Sequence, residues 1–259
     1  IGPFLRLIAL LLLVALALLT VNSAVFAVQA GLAIGSLMTV GIASKRTNLR
    51  KQKREIGAAQ LLASGTGIIA FNLLHAVTLR ADVIVLQLVS TPTEVGIYSA
   101  PASLTTSALA LSAAYKPRVQ AAAFSASPLR GILRDCLRVL VIALVGTVGL
   151  WIATPVAVRI LFGSSFQDAE PIMRTLAFAV PPLLMVDLVF AALIVLGRQR
   201  DLLVVAGGSA GLIVITLATL SPHFGAFGAA LATVISYALA TILGFAVLIR
   251  ATRQPEHHV

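Results

Sequence analysis

Charged residues are scarce in this chain. Only 11% of its 259 residues are Asp, Glu, Lys or Arg, whereas 59% are hydrophobic. A soluble domain carries about 25% charged residues and about 45–50% apolar ones, so the composition excludes an ordinary soluble fold. The short alternating strands that are typical of an outer-membrane barrel are also missing from the sequence.

Cysteine and catalytic motifs are equally scarce. The single cysteine, Cys136, excludes an intrachain disulfide and a multi-cysteine metal site, and we expect it to be a small packing residue in a helix. The sequence has no glycine-rich phosphate loop, no cluster of Ser, His and an acid, and no paired His at metal-binding spacing. His257 and His258 lie in the tail. We therefore expect no enzyme activity, no metal and no cofactor.

What the chain has instead is a series of apolar runs near 20 residues long, which is the length of a transmembrane helix. Because lipid offers no partner to free backbone groups, these runs must be helices. The predicted fold is all-α, a polytopic bundle of about eight transmembrane helices. The predicted spans are two within 3–43, divided at Asn22, and then 57–89, 95–115, 135–155, 171–196, 202–220 and 226–249.

Basic residues set the predicted orientation. A net charge of +10 can indicate nucleic-acid binding, but no basic stripe is interleaved with exposed aromatic residues. Membrane proteins concentrate Lys and Arg in short cytoplasmic loops. If the basic loop at 44–56 is cytoplasmic, alternation of the spans puts sixteen of the 19 Lys and Arg residues on that side. We therefore predict cytoplasmic termini, a cytoplasmic tail at 251–259 and no nucleic-acid partner.

The third span, 57–89, carries most of the polar residues found within apolar sequence. Charges inside a membrane cost several kcal/mol and normally face a cavity or a partner. Arg80 and Asp82 are two positions apart, so they point to different sides of a helix and each needs its own partner. We predict a bend at 64–67, because the span is roughly 50 Å long. The polar arc predicted to line a cavity comprises Asn72, His75, Thr78, Arg80, Asp82 and Gln87.

Alternatives stay open for the individual side chains. Arg80 either attracts an anion in a water-filled cavity or snorkels to the outer interface. Asp187, the acid deepest in an apolar run, pairs with Arg80, binds a proton or cation, or is protonated. Arg174 either lines the cavity or anchors its helix at the lipid headgroups. Tyr98 and Trp151 are predicted to lie in the outer aromatic belt.

Four local patterns follow one another in the order found in a known family. They are LRADVIVLQLVSTPTEVGIYSAPASL, with R-x-D followed by V-G-x-Y; a basic, proline-containing loop at Lys116-Pro117; ILFGSSFQDAEPIMRTLAFAVP, with L-F-G-x-x-F-x-x-A; and GAFGAALATVISYAL, with G-x-x-G-A-A-x-A-T. In this order they resemble the polysaccharide flippases, of O-antigen type, in the multidrug/oligosaccharidyl-lipid/polysaccharide exporter superfamily. The resemblance covers about 54–249.

The resemblance implies a fold of two helical bundles, of which this chain looks like a C-terminal fragment. Residues 1–43 then form the last helix pair of the first bundle, 44–56 a cytoplasmic loop, and 57–250 a second bundle of six helices. The implied function is transport of a lipid-linked oligosaccharide across the bacterial inner membrane for surface polysaccharide biosynthesis, by alternating access. Membrane lipids are implied partners, and polysaccharide-assembly proteins are candidate ones.

The resemblance also implies a role for Arg80, which is the cavity cation. In the flippase hypothesis Arg80 contacts the diphosphate of the substrate, and Asp82 and Asp187 hold cavity charge or couple transport to an ion. Asn72, His75 and Gln87 are predicted substrate-binding residues because they belong to the polar arc of the third span.

Three other functions stay open at this stage. A cation-coupled multidrug exporter of the same fold predicts an acid-rich cavity. A membrane-embedded polysaccharide ligase or polymerase predicts a large periplasmic loop, which the sequence lacks. A non-transporting scaffold predicts cavity charges that are paired with one another.

Overall fold

The computed structural model describes the backbone of residues 58–161, 163 and 166–253. The chain divides into two compact units, Ile1–Gln60 and Leu61–Val259, and nearly all described residues belong to the second. The helix pair predicted at 1–43, the basic loop at 44–56 and the tail after Arg253 lie outside the described residues.

The described part of the chain is helical and contains no strand, which confirms the predicted all-α class. Its helices follow the apolar runs of the sequence, and short connections join them. In chain order they are α1 (Ala58–Thr78), α2 (Ala81–Val89), α3 (Pro92–Ser107), α4 (Leu109–Ala123), α5 (Pro128–Leu161), α6 (Ala169–Ala177), α7 (Val180–Val195) and α8 (Gln199–Arg253).

Helix α8 is a hairpin of two antiparallel limbs, not one continuous rod. Its backbone leaves the helical region at Gly225, where φ is 55° and ψ is −135°. Near the open end of the hairpin, Arg198 Nη2 donates to the carbonyl oxygen of Ala251 at 2.9 Å. Midway along it, Thr216 Oγ1 lies 2.6 Å from Ser236 Oγ. These pairings require the chain to reverse at Gly225, so the limbs α8a (199–224) and α8b (226–253) are separate helices, as the sequence predicts.

The connections between helices collect at two opposite ends of the bundle. Arg198 places the α7–α8 turn beside the end of α8b. A Cβ added at Gly225 would lie 2.9 Å from Glu94 Oε2, so the hairpin turn lies beside the start of α3. Successive passes through the bundle that are joined by short connections are antiparallel neighbours. The end that we call the basic end therefore holds Arg118, Arg130, Arg134, Arg138, Arg198, Arg200, Arg250 and Arg253. This asymmetry is the one that the sequence predicts.

Helix α7 is the centre of the bundle. Nearly all of its residues are buried, and it packs against α4, α5 and α8. A helix that is apolar on every side is stable only when other helices surround it. Asp187 is the one charged residue of α7, so the sequence of this helix puts a carboxylate into the core.

The first membrane-length run is bent by 46° between α1 and α2. The break falls at Leu79 and Arg80, and α1 continues without interruption through 64–67, so the predicted position of the bend is wrong. Thr78 Oγ1 donates to the carbonyl oxygen of Leu74 at 2.9 Å. Such back-bonding by threonine often accompanies a bend, although Thr154 and Thr233 make the same contact inside helices that continue past them.

A second bend, of 44°, separates α6 from α7. It lies immediately before Pro181 and Pro182, which begin α7. Pro181 has no N–H to donate to the carbonyl oxygen of Ala177, and Thr147 Oγ1 from α5 donates to that oxygen instead, at 3.1 Å. The neighbouring helix thus satisfies the backbone group that the proline leaves free.

Helix α4 runs further than the sequence predicts. It continues through Pro117 to Ala123, and α5 begins at Pro128. The predicted basic loop, which begins at Lys116 and separates the predicted spans 95–115 and 135–155, is therefore wrong, and the connection is short. A proline inside an apolar helix removes only one hydrogen bond, which packing against neighbouring helices tolerates. Lys116 consequently lies inside the bundle.

Among the described residues, two helical stretches are long and apolar enough to cross a membrane: Pro128–Ile160, and Gln199–Arg253, which is the α8 hairpin. Four candidates result if each bent pair also forms one crossing. Large apolar side chains are exposed on the outside of the bundle, among them Leu88 at 81% and Val145 at 69%. Extensive exposed apolar surface is unusual on a soluble monomer and is expected where helices face lipid. The described part therefore has the features of a membrane protein.

We expect Gly225→Ala to destabilise the hairpin by roughly 1–3 kcal/mol, because a side chain strains a backbone conformation that is almost exclusive to glycine and because its Cβ would approach Glu94. Denaturant unfolding in detergent measures the change. Gly211→Ala is the matched control, since a Cβ there would meet nothing within 4 Å. Equal stability of the two variants would contradict the hairpin geometry.

Candidate functional site: a charged cavity beside the central helix

A polar cavity of about 240 Å³ lies between α1, α4 and α7. We call it the charged cavity. It combines a basic, an acidic and an imidazole side chain with two amides and an apolar wall. Its lining comprises Phe71, Asn72 and His75 from α1, Lys116 and Gln120 from α4, and Asp187, Phe190, Ala191 and Ile194 from α7.

An ion pair stands at the centre of this cavity. Lys116 Nζ lies 3.0 Å from Asp187 Oδ2, and the hydroxyl of Ser112 donates to the same oxygen. The Asp187 side chain is only 5% exposed, whereas the Lys116 side chain is 37% exposed. The carboxylate therefore belongs to the core, and the ammonium group connects it to the open space of the cavity.

Helix periodicity explains why these groups meet. Ser112, Lys116 and Gln120 are spaced four residues apart, so they share one face of α4. That face packs against α7. Lys116 is seven residues from the end of α4 at Ala123, or roughly 10 Å along the helix axis. The ion pair is therefore well inside the bundle.

His75 forms the third polar corner of the cavity. Its ring stacks on Phe71 with centroids 5.6 Å apart and meets the edge of Phe190 at 5.5 Å. The two aromatic contacts fix the orientation of the imidazole. Its Nδ1 is buried and has no hydrogen-bond partner among the described residues. A buried polar atom without a partner is costly, and here it lies beside a cavity that can admit one.

The structure brings together three of the residues singled out from the sequence, Asn72, His75 and Asp187. Of the alternatives for Asp187, pairing with Arg80 is wrong, because Lys116 forms its ion pair. Arg80 follows the end of α1 at the break in the helix, and its side chain is exposed. Gln87, in α2, is exposed as well and does not line the cavity.

Asp82 belongs to a separate buried cluster. Tyr98 donates its hydroxyl hydrogen to Asp82 Oδ2 at 2.7 Å, and the backbone N–H of Val83 donates to Oδ1 at 2.8 Å. The same tyrosine oxygen lies 3.0 Å from Thr233 Oγ1. This chain of contacts joins α2, α3 and α8b. The predicted interfacial position of Tyr98 is thus wrong, since the side chain is fully buried and its hydroxyl group satisfies an acid.

Arg174 lies at the end of the bundle opposite the basic end and outside the lining of the charged cavity. Its Nη2 is 2.8 Å from Glu170 Oε1, and its guanidinium group lies 5.0 Å from the ring centroid of Trp151. Trp151 is itself 43% exposed. A guanidinium group held between an acid and an exposed indole favours the anchoring alternative.

Lys116, Ser112 and Gln120 were not predicted as site residues. Pro117 is the reason, because a proline at this position predicts the end of a helix. Their spacing was the available signal, because three polar residues four positions apart form a single stripe in a continuous helix.

Comparison of the chain with models of known protein families, with curated proteins and with solved structures finds no match.

Tyr98→Phe should reduce the free energy of unfolding by about 1.5–3 kcal/mol, because the buried carboxylate of Asp82 loses a hydrogen bond. Tyr115→Phe is the matched control, because it removes a hydroxyl from a half-buried ring and keeps the contact between that ring and Arg118. Unfolding in detergent compares the two. A Tyr98→Phe variant as stable as Tyr115→Phe would contradict the role of the hydroxyl.

A second stability experiment addresses the ion pair. Lys116→Met leaves the carboxylate of Asp187 without its cation, and we expect a loss of about 1–3 kcal/mol. This is less than the 3–5 kcal/mol typical of a fully enclosed pair, because the Lys116 side chain is 37% exposed. The double variant Lys116→Met, Asp187→Leu should recover most of that loss. Arg118→Gln, on the same helix and exposed, should cost less than about 1 kcal/mol.

Proposed function

We propose that this protein is a membrane transporter and not an enzyme: a flippase that moves a lipid-linked oligosaccharide across the bacterial inner membrane for surface polysaccharide biosynthesis. The observation that carries the proposal is the Lys116–Asp187 ion pair, which lies inside an apolar helical bundle and beside an open cavity. Charged groups inside a membrane normally mark the path of a substrate or ion. The resemblance of the sequence to polysaccharide flippases supports the same reading.

The proposal includes a multi-pass topology of about eight transmembrane helices with both termini in the cytoplasm. The basic end of the bundle is then cytoplasmic, since Lys and Arg concentrate on that side. Six of the helical passes are α1–α2, α3–α4, α5, α6–α7, α8a and α8b, and the other two are the predicted spans within 1–43.

In the proposed mechanism, Lys116 binds the diphosphate of the substrate. Its ammonium group is the cation of the cavity lining, and the amides of Asn72 and Gln120 stand beside it. The cavity volume of about 240 Å³ is below the 300–1,000 Å³ of typical ligand pockets. It therefore suits a charged headgroup, and the sugar and the lipid chain remain outside it.

An exchange of ionic partners couples binding to a second ion. When the diphosphate binds the ammonium group of Lys116, the buried carboxylate of Asp187 loses its cation. An unpaired carboxylate in the core is strongly disfavoured, so Asp187 takes up a proton or a cation, and His75, which lines the same cavity, is its proposed proton donor. Binding of the anion and uptake of a positive charge are then linked, which is what a coupled alternating-access transporter requires.

Arg80 and Asp82 take no part in this exchange of ionic partners. Arg80 is exposed next to the break in the helix, where it is a second cation for the substrate on its way out. Asp82 is satisfied by Tyr98 and Val83, and its part is to hold α2 against α3 and α8b.

Transport is tested with proteoliposomes that contain the full chain and a fluorescent polyprenyl diphosphate disaccharide. We expect Lys116→Gln to slow translocation by roughly tenfold or more, because a charge-assisted contact worth about 1.5–3 kcal/mol is lost. Arg118→Gln, two residues away and exposed, should stay within about twofold of the wild-type rate. The change in translocation rate caused by Arg80→Gln measures how much the second cation contributes to transport. Wild-type translocation by Lys116→Gln would rule out the proposed site.

The paired charges also fit a non-transporting scaffold, and the double variant Lys116→Met, Asp187→Leu separates the two functions. A scaffold keeps its function when a neutral pair restores stability. A transporter loses translocation in the same variant, although the protein is folded.

A cation-coupled multidrug exporter is the second candidate. Of the three buried acids among the described residues, Asp82 and Asp187 favour it, whereas Asp135 pairs with Arg138 near the start of α5. In such an exporter the carboxylate binds the driving cation and Lys116 competes with that cation. Asp187→Asn would then abolish efflux of a cationic dye, while Lys116→Gln would leave it unchanged or faster. The flippase predicts the opposite order of sensitivity for the polyprenyl diphosphate probe.

A further inference from the structure

A second and larger depression faces the outside of the bundle, between α5, α7 and α8b. Its volume is about 630 Å³, and we call it the apolar groove. Almost all of its lining is aliphatic or aromatic, and its walls include Leu137, Leu144, Pro181, Met185, Ile242 and Phe245.

The groove follows from the break before α7. The prolines at the start of α7 bend the chain and leave a gap on this side of the bundle. Two threonines in the lining satisfy backbone carbonyls at the bend: Thr147 Oγ1 donates to Ala177 and Thr241 Oγ1 donates to Pro182, at 3.1 and 2.8 Å. The polar groups of the bend are therefore used internally, and the surface left in the gap is compatible with hydrocarbon.

The basic end of the groove is cationic. Leu133 and Leu137 line the groove near the start of α5. Arg130 lies seven residues before Leu137 and so on the same stripe of the helix, and Arg134 follows on the adjacent one. Arg253 lies on the stripe that continues past Ile242 at the end of α8b. All three arginines are exposed, and none of them forms an ion pair with another described residue.

The groove is separate from the charged cavity. The two share no lining residue. On α7, Met185 faces the groove and Asp187 faces the cavity, and two positions along a helix are about 200° apart. An occupant of the groove consequently does not reach the ion pair, so it is a resident of the membrane and not the transported headgroup.

From this geometry we infer that the apolar groove binds one acyl chain of an anionic phospholipid, whose phosphate contacts Arg130, Arg134 and Arg253. The charge complementarity at the basic end selects an anionic headgroup, as basic pockets between transmembrane helices do. The inference requires only that the bundle is embedded in a membrane, and it holds whether or not the protein is a flippase.

Native mass spectrometry of the full chain, released from nanodiscs, tests this assignment. Phosphatidylglycerol and phosphatidylcholine with identical acyl chains are the two probes. We expect about one retained phosphatidylglycerol per chain and a preference for it over phosphatidylcholine of roughly tenfold, since each arginine near the surface adds a favourable contact. Equal retention of the two lipids would overturn the assignment.

Three variants localise the binding site. Ala238→Phe fills the groove from α8b and should abolish retention of either lipid. Arg130→Gln with Arg134→Gln changes only exposed side chains, so it should fold normally and lose the preference for phosphatidylglycerol. Arg200→Gln is the matched control, because Arg200 is exposed at the same end on α8a, which contributes no residue to the groove, and the variant should keep that preference. Undiminished retention by Ala238→Phe, or an equal effect of Arg200→Gln, would contradict the site.

A polyprenyl diphosphate in the same nanodiscs distinguishes the two sources of such a ligand. If the groove holds a phospholipid, an equimolar amount of the polyprenyl lipid leaves phosphatidylglycerol bound. Displacement at that ratio would replace the phospholipid by the lipid carrier and would refute the inference. A loss of translocation with retained phosphatidylglycerol concerns the proposed function alone.

Discussion

Satisfaction of backbone hydrogen bonds in an apolar surrounding is the constraint on which this structure depends. Hydrocarbon offers no partner to a free N–H or carbonyl group, so each place where a helix is interrupted must supply one from within the protein. A threonine back-bonds at the end of α1, and Thr147 and Thr241 serve the bend before α7. At the open end of the hairpin, Arg198 donates a hydrogen bond to the carbonyl oxygen of Ala251. The side chains that look unremarkable in the sequence are thus the ones that allow the bundle its bends.

The charged groups of the interior must likewise find their partners within the protein. Asp82 and Asp187, two of the three buried acids among the described residues, are satisfied in different ways. Asp82 accepts hydrogen bonds from the Tyr98 hydroxyl and from the backbone N–H of Val83, and this arrangement leaves little room for another ligand. Asp187 shares a partly exposed lysine with a cavity. The first arrangement binds helices together. The second keeps an ionic contact that an incoming anion can break, and this difference is why the proposed function rests on Asp187.

Much of the fold could be predicted from the sequence, because apolar runs, polar breaks and charge bias are properties of consecutive residues. The class, the helical hairpin at the C-terminal end and the clustering of basic residues at one end follow from them. The cavity was predictable only in part. Asn72, His75 and Asp187 stand out as polar residues in apolar surroundings, but the partner of Asp187 depends on whether α4 continues past Pro117, which packing decides. The position of the first bend, at Leu79 and Arg80, likewise does not follow from composition.

The α8 hairpin has a mechanical consequence. Its limbs are joined near the open end by Arg198, in the middle by Thr216 and Ser236, and at the other end by the turn at Gly225. These three connections hold the two limbs together, so the hairpin resists shear between them. A rearrangement that keeps these contacts must take place elsewhere in the bundle, and the chain is already bent after α1 and before α7. Both bends border helices that line the charged cavity, so a change of angle at either bend would alter access to the ion pair.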